Sequence, residues 1–125
     1  MRWRQGVTLA EIVRILNANV LFGEGGLDKD VPHAFASDLM SDVLAFATAN
    51  GVLLTGLTTP QVVRTADVSD ISAIILVGGK RPSQEMVDLA TTLEIPLFST
   101  KYVMFEAAGR LFREGLVGAQ QQPLF

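Results

Sequence analysis

The side chains able to do chemistry in this 125-residue chain are few and stand mostly alone. His33 is the one histidine, and with zero cysteines a thiolate nucleophile, a thiolate metal site and a disulfide are excluded. A serine triad would have to be assembled around His33, and no G-x-S-x-G elbow is there to hold the serine. His33 therefore reads as a structural or surface residue. Asp38 and Asp42 fall four apart, on one face if both are helical. At that spacing they are weak candidates for holding magnesium, an ion that normally also needs substrate phosphates. A helix cap followed by a first-turn acid, favoured by the helix dipole, accounts for the same pair.

Two glycine-rich turns bear on phosphate binding. Gly23-Glu24-Gly25-Gly26 fails the G-x-G-x-x-G fingerprint, because its sixth position is Asp28 and loop follows it. It reads as a tight turn. Gly78-Gly79-Lys80 lacks the first glycine at Walker spacing, and Arg81 stands where Ser or Thr should meet magnesium. That excludes a P-loop. A plainer anion site stays open there, since amides at the next helix start and two cations converge; a solvated turn is the alternative. Arg64, within Gln61-Val62-Val63-Arg64, either lends charge to such a site or sits on a solvated helix face.

The elements that must position these residues follow from pattern. Thr8-Leu9-Ala10-Glu11 is a capping box, and Leu9, Ile12, Val13 and Leu16 continue it as a helix over residues 8–17. Short strands are expected at 20–22 and 31–37, pairing antiparallel at one edge. Asp38 or Ser41 caps a helix carrying Leu39, Val43, Leu44 and Phe46. Residues 52–54 and 73–77 are continuous apolar runs, the mark of parallel strands covered on both faces. Thr59-Pro60 opens a helix to Ser69, and Pro82-Ser83 opens another to Leu93. A strand at Ile95–Phe98 precedes a last helix over 101–114, capped by Thr100 and ended by Gly115. Strands alternating with helices predict an α/β fold, a three-layer sandwich with a mixed, mostly parallel sheet of about five strands. Residues 1–116 form one domain, and 117–125 are expected to fray.

Composition narrows the function classes. The chain is 49% hydrophobic and 18% charged, against about 25% charged in an average soluble domain. Disorder is excluded. No uncharged apolar run approaches the roughly 20 residues of a membrane span. Ten Lys and Arg against 13 Asp and Glu give a net charge of −3, and the basic residues are scattered. Nucleic acid, which needs a basic stripe, is not an expected partner. Met1–Gly6 carries two arginines, but Glu11 and Arg14 interrupt the stretch that follows, so no signal peptide is read. A cytoplasmic location is the default expectation. The apolar surplus is assigned partly to the sheet and partly to a subunit interface built from the Met104, Phe105, Ala108, Leu111, Phe112 stripe with Phe35 and Phe46.

Several segments together resemble the small stand-alone DRTGG-domain proteins: Ala36–Ala45, Leu53-Leu54-Thr55-Gly56-Leu57, Pro60–Ala66, Asp70-Ile71, Gly78-Gly79-Lys80 and Met104–Ala107. The resemblance spans residues 8–116. Thr55-Gly56 fits the T-G of the D-R…T-G-G pattern, whereas the next position is Leu57 and no D-R pair stands upstream. The resemblance implies a fold similar to the N-terminal domain of HPr kinase/phosphorylase. Related domains accompany CBS pairs in regulated pyrophosphatases and occur at the N-terminus of some phosphotransacetylases, as dimerising or regulatory modules. Stand-alone versions occur near hydrogenase or other redox genes. HPr kinase activity is not implied here, since that chemistry belongs to a separate P-loop domain.

The expected function is thus a non-catalytic regulatory module, acting as a homodimer and binding a small anionic metabolite or nucleotide, with no cofactor. Its ligand would lie where open α/β sheets bind theirs, at the C-terminal ends of the strands. The residues placed there are Thr55, Gly56, Thr58 and Thr59 after one strand and Gly78, Gly79 and Lys80 after the next, with charge from Lys80 or Arg64. The alternative is a structural partner of a redox complex with no ligand of its own. Metal-assisted phosphate chemistry through Asp38 and Asp42 is the least favoured reading.

Overall fold

The computed structural model describes residues 6–119 and 122–123. In chain order they form β1 (Val7–Thr8), α1 (Leu9–Ile15), β2 (Asn19–Phe22), a 3-10 turn at Glu24–Gly26, β3 (Asp30–Val31), β4 (His33–Ala36) and α2 (Met40–Phe46). β5 (Val52–Thr55), α3 (Pro60–Val68), β6 (Ala73–Leu76), α4 (Gln84–Thr92), β7 (Leu97–Ser99), α5 (Met104–Arg113) and β8 (Val117–Gly118) follow. The capping box forms as read from the sequence: Thr8 Oγ1 accepts from the Glu11 amide at 3.1 Å, and Glu11 Oε1 accepts from the Thr8 amide at 3.1 Å. Ser83 caps α4 in the same way, its hydroxyl accepting from the Met86 amide at 3.1 Å.

Three other caps differ from expectation. Leu39, not Asp38 or Ser41, precedes the first turn of α2, and Ser37 Oγ accepts the Leu39 amide at 3.0 Å. Thr59 does stand at the N-cap of α3, but its hydroxyl makes no capping bond. Thr100 does not cap α5, which begins only at Met104 behind Val103. The Thr100 hydroxyl is committed elsewhere, donating to the Leu16 carbonyl at 2.7 Å.

The main sheet has six strands in the order β2-β7-β6-β5-β4-β8, one more than expected, with β1 and β3 in a separate antiparallel pair. β8, β4, β5, β6 and β7 run parallel, and β2 is antiparallel to β7. The sheet is therefore mixed and mostly parallel. The expected pairing of 20–22 with 31–37 does not occur. Segment 31–37 is split at Pro32: Asp30–Val31 pairs with β1, while His33–Ala36 joins the main sheet beside β5. Proline has no amide to continue a ladder, so the change of partner falls at the residue that cannot donate.

Two cores sandwich the sheet. Val52, Leu54, Ala73, Ile75 and Phe98 pack against α1 and α5. Leu53, Ile74, Leu76 and Leu97 point the other way, onto α2, α3 and α4. Successive residues of β5 and β6 thus enter opposite cores, and all eight are buried. Phe35, expected in an interface, packs on the second core instead, and Phe46 is half-buried. The α5 stripe divides, with Ala107 and Leu111 buried and Phe105 and Phe112 turned to solvent. Within the stretch expected to fray, Val117 and Gly118 pair with His33 and Ala34. Residues 120–121 and 124–125 lie outside the described set.

Candidate functional site

The parallel strands deliver their C-terminal loops to one end of the sheet, which brings the sequence-nominated residues to a common edge. After β5, Thr55 is buried and its hydroxyl donates to Asp38 Oδ1 at 2.9 Å. The Gly56 amide donates to the same oxygen at 2.7 Å. Asp38 is therefore a tie between the loops after β4 and β5 rather than a helix cap, and Asp42 sits in the first turn of α2. No metal-holding group of three or more His, Cys, Asp or Glu occurs among the described residues. The Thr58 carbonyl accepts from the Ser83 amide at 3.0 Å, joining this loop to the start of α4. Thr59 and Arg64 are exposed.

After β6, Gly78 and Gly79 adopt φ of 72° and 69°, a left-handed turn that side chains resist. Their amides are not available to a ligand. Gly78 N–H donates to the Tyr102 carbonyl at 2.7 Å, and Gly79 N–H to the Thr100 carbonyl at 2.9 Å. The expectation that these amides receive an anion is corrected accordingly. What they do is lash the β6–α4 loop, which carries Lys80 and Arg81, to the β7–α5 loop, which carries Lys101.

Between those loops and the α1–β2 turn lies a cleft of about 530 Å³. Asn17, Asn19, Gly79, Lys80, Arg81, Ser99, Thr100, Lys101 and Tyr102 line it over Leu16. Among the described lining residues are three cations and no carboxylate. None of the three makes an ion pair with a described residue; the one such pair, Arg110 to Glu106 at 2.8 Å, lies on α5. Tyr102 is held by Arg110, whose Cζ is 4.1 Å from the ring centroid. Of the nominated residues, Gly79 and Lys80 enter this cleft, while Thr55, Gly56, Thr58, Thr59, Arg64 and Gly78 do not line it.

Lys101, Tyr102, Asn17 and Asn19 were not nominated from sequence. The signal that finds Lys101 is adjacency: consecutive parallel strands place their following loops side by side, and each loop here carries a cation just after its strand.

Two other concavities differ in chemistry. A larger one, about 620 Å³, opens at the N-terminal ends of the strands and is lined by Asp28, Asp67, Asp70 and Glu94 with Lys29 its only described cation. Its carboxylates repel anions. An apolar groove of about 330 Å³ runs between α5, β4 and β8, with Leu54 and Leu111 within and Phe105 and Phe112 at its lip. No described helix is long and apolar enough to cross a membrane.

Comparison with known proteins agrees with this architecture. The chain is 31% identical over 107 residues to the uncharacterized protein YtoI of Bacillus subtilis (strain 168), covering 86% of this chain and 24% of that protein. It matches, with a TM-score of 0.72 and 19% identity, a crystal structure of the CBS and DRTGG domains of the regulatory region of Clostridium perfringens pyrophosphatase, complexed with its activator diadenosine tetraphosphate. That match covers 93% of this chain and 53% of the other. The chain thus spans about a quarter of the curated relative and about half of the solved one. The family model for the DRTGG domain matches residues 11–113, from α1 to the last residue of α5, and the chain belongs to the DRTGG domain family.

Proposed function

We propose that this domain is a regulatory, ligand-sensing module without catalysis of its own, and that the cleft beside Lys80, Arg81 and Lys101 receives a small anionic metabolite. The observation that carries this reading is a local excess of three unpaired cations in a chain of net charge −3. Converging cations facing no acid are stabilised by an anion between them. The solved regulatory region of the pyrophosphatase, with its bound nucleotide activator, supports a sensing role for this fold. The cleft offers neither carboxylate nor imidazole among its described lining residues to act as a general base. A cytoplasmic setting, where phosphorylated metabolites are abundant, fits this role.

The test is thermal unfolding with a panel of inorganic phosphate, phosphorylated metabolites and nucleotides at millimolar concentration. A ligand at one hundred times its Kd stabilises by about 2.7 kcal/mol, which is readily measured. A shift that disappears in Lys101→Ala supports the reading. Absence of any shift across the panel overturns it.

A second reading, self-association through α5, is favoured by one observation. Phe105 is 88% and Phe112 68% exposed, an unusual state for phenylalanine. They lie two turns apart on one face of α5, with Ala108 and Gly109 between them. A two-fold axis through those small residues would set Phe105 of one copy against Phe112 of the other and fill both grooves. Sedimentation velocity at micromolar concentration tests it: a dimer supports the reading, and a monomer at all accessible concentrations overturns it.

A further inference from the structure

We infer that the ligand of the basic cleft is an organic polyphosphate, a nucleoside di- or triphosphate or a molecule of like chemistry, rather than a single phosphate group; this rests on the anion-sensing reading above. The cleft is large enough for a whole small molecule. About 530 Å³ falls within the roughly 300–1,000 Å³ of sites for whole small molecules. A lone phosphate displaces only a few waters of about 30 Å³ each and leaves most of that space unfilled.

Its charge is distributed over more than one segment of chain. Lys80 and Arg81 rise from the loop after β6 and Lys101 from the loop after β7. The two loops are fixed to each other by the Gly78–Tyr102 and Gly79–Thr100 backbone bonds. Lys101 is further anchored through buried Thr100, which is bonded to Leu16. The three cations are therefore spread over two neighbouring loops whose backbones are fixed to each other. A chain of phosphoryl groups engages the cations of both loops along its length, with the planar Arg81 fork suited to two oxygens at once and each lysine to one.

The rest of the lining is neutral and mostly polar. Asn17 and Asn19 carry the amides of the α1–β2 turn into the cleft, and their side chains bond to no described residue. Such amides present donors and acceptors together, the pairing that reads a neutral heterocycle or sugar and does little for phosphate. Tyr102, with Arg110 over one face of its ring, adds an aromatic side chain to the same cleft. The cleft thus offers both cations for phosphoryl groups and neutral side chains for an uncharged organic group.

Calorimetric titration of the whole chain, in magnesium-free buffer at fixed low salt, tests this with inorganic phosphate, AMP, ADP, ATP and inorganic triphosphate. Kd is expected to fall about tenfold with each phosphoryl group from AMP to ATP, the equivalent of one charge-assisted hydrogen bond. ATP should bind at least about tenfold tighter than inorganic triphosphate, and Asn19→Ala should erase that preference while leaving triphosphate unaffected. The Lys80→Ala, Lys101→Ala double variant should lose about 100-fold for ATP and less than tenfold for AMP. Its unfolding temperature without ligand should match the parent, since both lysines are exposed and unpaired. If AMP or phosphate binds as tightly as ATP, the anion reading stands and the polyphosphate inference is overturned. Triphosphate equal to ATP overturns the organic part, and no binding by any probe removes both readings.

Discussion

Asp38 takes the hydroxyl of Thr55 at 2.9 Å, a carboxylate at the mouth of the sheet holding a hydroxyl that is wholly buried at the end of β5. Because the same oxygen also takes the Gly56 amide at 2.7 Å, one side chain fixes where β5 ends and where its loop turns toward α3. Thr55→Val keeps the shape and deletes the donor. We expect a loss of about 1–2 kcal/mol, seen as a fall in unfolding temperature of about 3–6 °C. Asp38→Asn retains an acceptor and should lose less than Asp38→Ala. Equal stability of all three with the parent would contradict the assigned tie.

Gly51 stands against His33. A Cβ built there lies 2.5 Å from the imidazole Nδ1 and 3.0 Å from the His33 carbonyl oxygen, while the other ring nitrogen is 2.8 Å from Thr48 Oγ1. Gly51→Ala must displace the ring or the strand and should cost about 1–3 kcal/mol by overpacking. Combined with His33→Ala, the loss should be smaller than the sum of the single losses, a coupling that denaturant unfolding measures directly. Additive losses would show that the ring is not what the new methyl meets.

Gly79 and Gly109 should respond in opposite directions to alanine. Both have open space where a Cβ would go, but Gly79 has φ of 69° and Gly109 lies inside α5. Gly79→Ala should cost about 1–2 kcal/mol through left-handed backbone. Gly109→Ala should gain about 0.5–1 kcal/mol by helix propensity. The same added methyl narrows the approach between Phe105 and Phe112, so self-association should weaken even as the monomer becomes more stable. Unfolding and sedimentation on one preparation separate the two effects.

Phe105→Glu and Phe112→Glu should leave the unfolding temperature of the isolated fold nearly unchanged, since both rings already face solvent. Each should abolish a dimer formed through α5, because a charge would be buried against an apolar neighbour. A persistent dimer in both variants would place the interface elsewhere.

Much of this fold could be read from the sequence because its strongest signals are local. β5 and β6 are buried on both faces, so their apolar runs are unbroken, and the Thr8–Glu11 and Ser83 caps close within a single turn. The partner of β2 was not legible. Nothing in the run Val20-Leu21-Phe22 distinguishes a neighbour at Val31 from one at Phe98, and the latter is far along the chain. β8 was missed for a different reason, since two residues carry no periodicity. At the site, the glycine turn and Lys80 were visible as a motif after a strand. Lys101, Asn17 and Asn19 carry no motif and reach the cleft only through tertiary contacts, chiefly the bond from Gly79 to Thr100 and that from Thr100 to Leu16.

The brevity of β8 has a consequence for how molecules of this protein meet. At its outer margin the sheet offers only Val117 and Gly118, about one ladder step, to any strand that would add to it. A margin so short cannot template a growing ribbon of stacked chains. Strand addition is left to the opposite edge, where β2 offers Asn19–Phe22.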